Sequence, residues 1–422
     1  MPRTSQEFSA RAAFGYPSFR LWMTARFLAV FSSEMQAVAV AWQVYALTHR
    51  PLDLGLVGLA LFLPGVLLFP VSGHTADRVP RLRILMATCG GFAFCSLLLL
   101  AYSASGFTSV YPIYLVVVLM GIARAFHGPA GQAFLPLLVD EEHFPNAVTW
   151  SASIFQAATI VGPMAGGVLY ALGGGPIPVY GASVAAYLAA LTLMGRIRLR
   201  RGRSPAAAPS AGMVWEGLKF IWRDKLILGA ISLDLFAVLL GGAVALLPVY
   251  ARDILKVGAS GLGLLRSAPG LGALAMAMIL VHRPLGRRAG AKMLLGVFGF
   301  GVFTIVFGLS RNLAVSMAAL VLAGACDMVS VIMRQTLVQL ETPDSMRGRV
   351  SAVNMVFIGA SNEVGQFESG LTAQWFGTVP AVVLGGAGTL AIVLIWAKLF
   401  PALRQVDELS AGGRRPASRR SP

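Results

Sequence analysis

Charge is what this chain of 422 residues has least of: only 12% are Asp, Glu, Lys or Arg, about half the share of an ordinary soluble protein. That scarcity, with 56% hydrophobic residues and a mean hydropathy of +0.73, excludes a water-soluble globule and puts the chain in the membrane. Cysteine is equally sparse. Cys89, Cys95 and Cys326 all fall inside apolar runs without metal-binding or disulfide spacing, so they read as small apolar residues, and no metal or cofactor is expected. The motif G-x-x-x-x-G-K-[ST] is missing, which argues against direct use of ATP, and the absence of HExxH, paired CxxC and GxSxG argues against an enzyme. A β-barrel is disfavoured because the apolar runs are continuous and not alternating. Met1 to Tyr16 carries Arg3 and Arg11 but no cleavage pattern, so no signal peptide is expected.

What is present is a series of twelve apolar runs: 20–47, 53–76, 83–103, 110–136, 147–171, 177–195, 226–249, 260–281, 292–309, 313–337, 350–376 and 380–400. Each can cross a hydrocarbon core of about 30 Å as a helix. The 47 glycines suit helices packed closely in lipid. Basic residues gather in alternate loops, at Arg78, Arg81 and Arg83, at Arg196 to Arg203, at Arg283 to Lys292, and at Arg347 and Arg349. The net charge of +16 therefore reads as a positive-inside pattern with both termini cytoplasmic, and not as a nucleic-acid surface. The expected fold is an all-α integral membrane protein of twelve transmembrane helices in two pseudo-symmetric six-helix halves.

The division into halves rests on composition and on a repeat. A basic run passing into Ser-Pro-Ala-Ala-Ala-Pro-Ser cannot bury a core and makes residues 196–214 a cytoplasmic linker. It separates an N-terminal bundle, 1–195, from a C-terminal bundle, 215–400, and 401–422 reads as a disordered cytoplasmic tail. The C-terminal bundle opens with an interfacial helix in which Trp215, Leu218, Phe220 and Trp222 alternate with Lys219, Arg223 and Lys225. Shifting the first half by 203 positions sets Gly121 on Gly324, Gln132 on Gln335, Gly162 on Gly365 and Gly167 on Gly370 without a gap. Like halves are expected of a transporter that rocks about a midplane site.

Three signatures now resemble those of the major facilitator superfamily (MFS). Gly73-His-Thr-Ala-Asp77-Arg78-Val-Pro-Arg81-Leu-Arg83 is similar to that family's loop between spans two and three, with one extra residue before the final basic position. Arg124-Ala-Phe-His127-Gly128 resembles its R-x-x-Q-G of span four, with His for Gln. Gly162-Pro163-Met-Ala-Gly166-Gly167 resembles its antiporter motif of span five, with Ala158 in place of the first Gly. Other segments, among them Gly128 to Pro136 and Met346 to Asn354, look like the branch of enterobactin-type siderophore exporters and macrolide efflux pumps. The resemblance implies a proton-driven exporter of the bacterial inner membrane.

A charge at the centre of a membrane helix costs about 2.5 to 3.5 kcal/mol on insertion scales, so each needs a cavity, a partner or a function. Glu34, Arg124, Asp234 and Asp327 lie in spans one, four, seven and ten, which the resemblance sets around the central cavity. The repeat superimposes Arg124 on Asp327, giving opposite charges at equivalent positions: either a couple sensitive to substrate or proton, or a fixed ion pair. Glu34 is the first candidate proton carrier and Asp234 the second, with satisfied structural carboxylates as the alternative. Span eleven is dense in polar residues, with Asn354, Asn362, Glu363, Gln366 and Glu368. Glu363 and Gln366 share a helix face and Glu368 lies off it. Asn362, Glu363, Gln366 and Glu368, with Trp42 and His127, are candidate substrate contacts, although His127 reads first as a packing histidine. Pro64, Pro129, Pro163, Pro248 and Pro269 are expected to bend or loosen helices.

By resemblance, Asp77 acts as a cytoplasmic latch toward span eleven, with Arg78 and Arg81 bracing the loop; Gly73 lets helices approach and Arg83 completes the loop at the headgroup edge, and a plain positive-inside anchor is the alternative. The matching loop, His282 to Arg288, keeps the bases without an acidic partner. The expected function is secondary, proton-coupled efflux of an amphiphilic small molecule, a siderophore, macrolide or other drug-like compound, by alternating access. The alternatives are an importer or uniporter for a nutrient or metabolite and, third, a non-transporting membrane subunit. Expected partners are the bilayer, the substrate and protons, with no nucleic acid and a monomeric state. The proton motive force takes the place of a cofactor.

Overall fold

The computed structural model describes residues 12–199, 211–283 and 288–404. In lipid every backbone N–H and C=O must be satisfied within the chain, and the answer here is helical throughout the described residues. The helices are α1 (Pro17–Thr48), α2 (Pro51–Leu67), α3 (Phe69–Arg78), α4 (Arg81–Ala104), α5 (Tyr111–Phe134), α6 (Phe144–Leu172), α7 (Ile177–Gly195) and α8 (Ala211–Arg223). After them come α9 (Lys225–Leu240), α10 (Leu247–Val249), α11 (Gly258–His282), α12 (Ala289–Leu309), α13 (Leu313–Glu341), α14 (Asp344–Phe376), α15 (Thr378–Leu399) and α16 (Pro401–Arg404).

Ten helical runs among the described residues are long and apolar enough to cross a membrane. Two more crossings complete twelve. One is the α2–α3 run, interrupted at Leu68 just before Pro70 in the first turn of α3. The other is α14, whose 33 residues carry the polar set of the eleventh span. The seventh crossing is also broken: α9 stops at Gly241, a 3-10 turn spans Ala243–Leu246, and the chain passes through α10 into a π-helical turn over Tyr250–Ile254. Pro64, Pro129, Pro163 and Pro269 lie inside continuous helices, whereas Pro248 lies in α10, within the broken seventh crossing.

Local chemistry fixes several ends. Asp224 caps α9 by accepting from Leu226 N and Ile227 N, and Asn312 caps α13 by accepting from Ala314 N and Val315 N. Between α14 and α15 a single residue, Gly377, turns the chain at φ 89°, a conformation that a side chain would resist.

The chain forms two compact units. The first gathers α1, α2 from Ala60, α3 to α7 and the start of α11, Gly258–Ser267. Its core packs Phe19, Trp22, Leu85, Phe134, Tyr187 and Met194. Polar glue ties α1 to its neighbours: Tyr180 donates to Gln43 at 2.7 Å, Gln43 to Ser103 at 3.0 Å, and Ser96 to Gln36 at 2.8 Å. The second unit gathers Arg50–Leu59, α8 to α10, α11 from Ala268, and α12 to α16. Its core includes Leu233, Met293, Leu337 and Val393. There α8 lies on α14, with Arg349 paired to Glu216 at 3.0 Å, while Trp215 and Trp222 stay exposed and Lys219 stands 5.4 Å over the Trp215 ring.

Candidate functional site

The most enclosed ion pair among the described residues lies in the second unit. Asp234 comes from the middle of α9, and Arg334 from α13 reaches it with Nη2 at 3.0 Å from Oδ2, their side chains only 8% and 3% exposed. Nη1 of the same guanidinium donates to Asn354 Oδ1 on α14 at 3.0 Å. Its Nε is buried with no hydrogen-bond partner. Asp327 lies two helical turns before Arg334 on α13, partly buried and in electrostatic reach of both Asp234 and Arg334. Two carboxylates thus stand near one guanidinium, and Asp234 is the one in contact with it.

Glu34 occupies a different setting in the first unit. Its Oε2 stands 3.8 Å from Arg266 Nη2 on α11, and the two side chains keep 28% and 26% of their surface exposed. Gly162 of α6 backs it: a Cβ at Gly162 would sit 2.7 Å from Glu34 Cβ, and one at Gly166 would sit 2.5 Å from Met35 O. On the same helix, a Cβ at Gly167 would meet Ala259 O of α11 at 2.5 Å, while Pro163 offers its own carbonyl at 2.5 Å to a Cβ on Gly263. The glycines of the span-five motif therefore let α6 close on α1 and on the start of α11, and so position Glu34.

The remaining candidates divide between these units. Arg124 is exposed on α5 in the first unit, whereas Asp327 belongs to the second. His127 Nδ1 is 2.8 Å from Thr88 Oγ1, and its ring meets Phe92 edge-on at 5.5 Å. Since Thr88 gives its proton to a carbonyl of its own helix, at Ile84 or Leu85, its oxygen is left to accept from His127 N–H. Trp42 packs edge-on against Tyr170 at 6.2 Å.

On α14, Gln366 donates to the buried Glu363 at 3.1 Å, Thr372 donates to Glu368 at 2.7 Å, and Asn362 donates to Ile358 O at 2.8 Å. In the loop after α3, Gly73 is buried, Arg78 and Arg83 are exposed, and buried Arg81 reaches Ala133 O at the end of α5 at 3.4 Å. Asp77 lies in the last turn of α3, and its side chain is outside the described ones. Arg287, in the matching loop, is likewise outside the described residues.

Residues 8–418 match the model of a family described as transmembrane secretion effector. The chain belongs to that family, within the major facilitator superfamily. Enterobactin exporter EntS of Shigella boydii serotype 4 is 27% identical over 92% of this chain and 93% of its own length. EntS of Escherichia coli is 26% identical over the same shares. Among solved structures, a bacterial homologue of the iron transporter ferroportin in its inward-facing state aligns with a TM-score of 0.69 at 16% identity, over 92% of this chain and 98% of that one. A POT family transporter in complex with a conjugated peptide aligns at 0.70 and 12% identity, over 91% and 96%. At such identities the likeness to solved structures is one of fold. This MFS protein is a multi-pass membrane transporter for small molecules, not an enzyme.

Two residues of the transporter's charged clusters escape a reading of the sequence. Arg334 lies three positions before the end of the tenth apolar run, where an arginine reads as a headgroup anchor; α13 in fact runs on to Glu341. Its seven-residue spacing from Asp327, two turns on one face, is the signal that finds it. Arg266 sits early in the eighth run, and only the packing of α11 on α6 brings it to Glu34.

Proposed function

We propose that this transporter exports an amphiphilic small molecule of siderophore type in exchange for protons, with the proton bound at the cluster of Asp234, Asp327 and Arg334. The observation that carries this reading is the charge imbalance of that cluster, a buried Asp234–Arg334 pair with a second carboxylate, the partly buried Asp327, two turns away on the arginine's own helix. An unbalanced charge in a low-dielectric interior is costly, and uptake of a single proton removes it. A site able to hold one proton, next to the break in the seventh span, has the chemistry that alternating access needs. This moves the first choice of proton carrier from Glu34, whose side chain is 28% exposed, to the buried Asp234 and its partly buried neighbour Asp327. Glu34, with Arg266, becomes the candidate contact for polar substrate groups.

The exporter direction and the substrate class are supported by the near full-length relation to EntS. One proton moving down 100 mV releases about 2.3 kcal/mol, enough for roughly a fifty-fold gradient of a neutral solute at about 1.4 kcal/mol per tenfold. With protons as the energy source no bound cofactor is required. The setting proposed is the bacterial inner membrane, both termini cytoplasmic, with a monomer as the working unit.

The test is transport by the purified protein in proteoliposomes carrying a pH-sensitive dye, with enterobactin as the probe. Opposed movement of protons and enterobactin, abolished by a protonophore, is the expected result. Enterobactin flux that is indifferent to the protonophore and moves no protons overturns the coupling.

A further inference from the structure

A cavity of about 580 Å³ opens in the first unit between α3, α4 and α5, apart from the carboxylate sites at Glu34 and Asp234. Its volume falls in the ordinary range of ligand sites, about 300–1,000 Å³. Along α4 the lining runs from Arg83 to Cys95, a rise of about 18 Å at 1.5 Å per residue. That is close to one leaflet of a hydrocarbon core about 30 Å thick. The opposite wall is the antiparallel stretch of α5 from Leu119 to Phe126. The walls come close where Gly91 faces Ala123, whose Cβ would be 3.6 Å from a Cβ on the glycine. Phe94 and Ile122 are exposed at the mouth, so the groove opens sideways to the bilayer.

The lining is apolar in effect as well as in composition. Thr75 gives its hydroxyl proton to Val71 O at 2.8 Å, and Thr88 is committed to its own helix and to His127. A polar solute therefore finds almost nothing to bond with along the walls. The one charge in the lining is Arg83, exposed in the first turn of α4, and the N-terminus of that helix has no side-chain cap. A cation and a helix N-terminus at one end favour an anion there. Arg78 stands exposed at the same edge.

We propose that this groove binds an anionic phospholipid, one acyl chain lying between α4 and α5 and the phosphate held at Arg83. The leaflet concerned is the one that meets the loop from Arg78 to Arg83. The proposal depends on membrane embedding alone and stands apart from the direction, substrate or proton coupling of transport.

The measurement is lipid retention by native mass spectrometry of the full chain, with thermal unfolding in detergent as a second readout. The probes are phosphatidylglycerol, phosphatidylcholine and inorganic phosphate. The wild-type protein should retain and be protected by phosphatidylglycerol in preference to phosphatidylcholine. Arg83→Ala should lower that preference about fivefold, the factor corresponding to about 1 kcal/mol for one basic residue near an anionic surface. Ala87→Phe, at an exposed position of the lining, should fill the groove and lower retention of both lipids while Arg83 remains. Ile122→Trp from the other wall serves the same purpose should Ala87→Phe fail to fold. Equal retention in wild type and the groove-filling variants overturns the proposal. So does protection by inorganic phosphate equal to that by phosphatidylglycerol, which would assign the site to a free anion.

Discussion

Arg334 and Asp234 pair at 3.0 Å with side chains 3% and 8% exposed, so neither charge has water to fall back on. Removing one partner from such a pair leaves the other buried and uncompensated, at a cost of about 3–5 kcal/mol. Arg334→Ala should therefore lower the unfolding temperature in detergent sharply, and Asp234→Ala less so because Asp327 remains to balance the arginine. The double variant should be more stable than Arg334→Ala alone. If the effects of the two single changes simply add, the pair is not coupled as the 3.0 Å contact requires.

The second prediction separates the two carboxylates around that arginine. Asp327→Asn removes the excess negative charge and leaves the Asp234–Arg334 pair intact, so the protein should fold normally and lose only its dependence on a pH gradient. Asp234→Asn leaves Asp327 as the sole counter-charge of Arg334 and should weaken both stability and coupling. Proton uptake accompanying enterobactin movement, measured with an internal dye, decides the matter. Full proton coupling in Asp327→Asn would take the second carboxylate out of the mechanism.

The 203-residue repeat extends to individual contacts, which gives a paired prediction. Gly162 closes on Phe31 O and Glu34 of α1, and its counterpart Gly365 closes on Val238 O and Leu239 O of α9. Gly121 meets Leu61 O and Pro64, and Gly324 meets Pro269. Gly167 meets Ala259 O and Gly263, and Gly370 meets Pro51 O and Gly55. Overpacking at such sites costs about 1–3 kcal/mol. Gly162→Val and Gly365→Val should thus destabilise to a similar degree, whereas Gly90→Ala, with nothing within 4 Å of its added Cβ, should be neutral or stabilising. Thermal melts of the three variants suffice, and a mild Gly365→Val beside a severe Gly162→Val would break the equivalence.

These contacts mark how far the sequence could be read. The twelve crossings and the repeat are visible because length, hydropathy and glycine spacing are one-dimensional signals, and lipid admits only helices and closed barrels, of which continuous apolar runs choose the helix. The breaks are less legible. Pro64, Pro129, Pro163 and Pro269 interrupt no helix, while the seventh span parts at Gly241 and Gly242, with Pro248 in the broken stretch beyond. There Gly242 leaves room for Gly365 O of α14, 3.0 Å from where its Cβ would lie, a long-range demand that no local propensity records. Side-chain partners are harder still. Glu34 and Asp234 stand out as charges in apolar runs, but Arg266 emerges only when α11 meets α6, and Arg334, hinted at by its spacing from Asp327, gains its partner only when α13 meets α9.

Glu34 and Arg266 offer the last test, because their exposure sets a different scale from that of the buried pair. At 3.8 Å with more than a quarter of each side chain open, the pair is worth about 0–1 kcal/mol, the range of exposed ion pairs. Glu34→Gln should leave the melting temperature almost unchanged and keep transport driven by a pH gradient, while raising the enterobactin concentration needed for half-maximal flux. Arg266→Ala should behave alike, and its effect should shrink at high salt, since exposed charges are screened. Loss of the pH response in Glu34→Gln, with Asp234→Asn and Asp327→Asn still coupled, would return the proton to the first unit and leave the buried cluster a structural clamp.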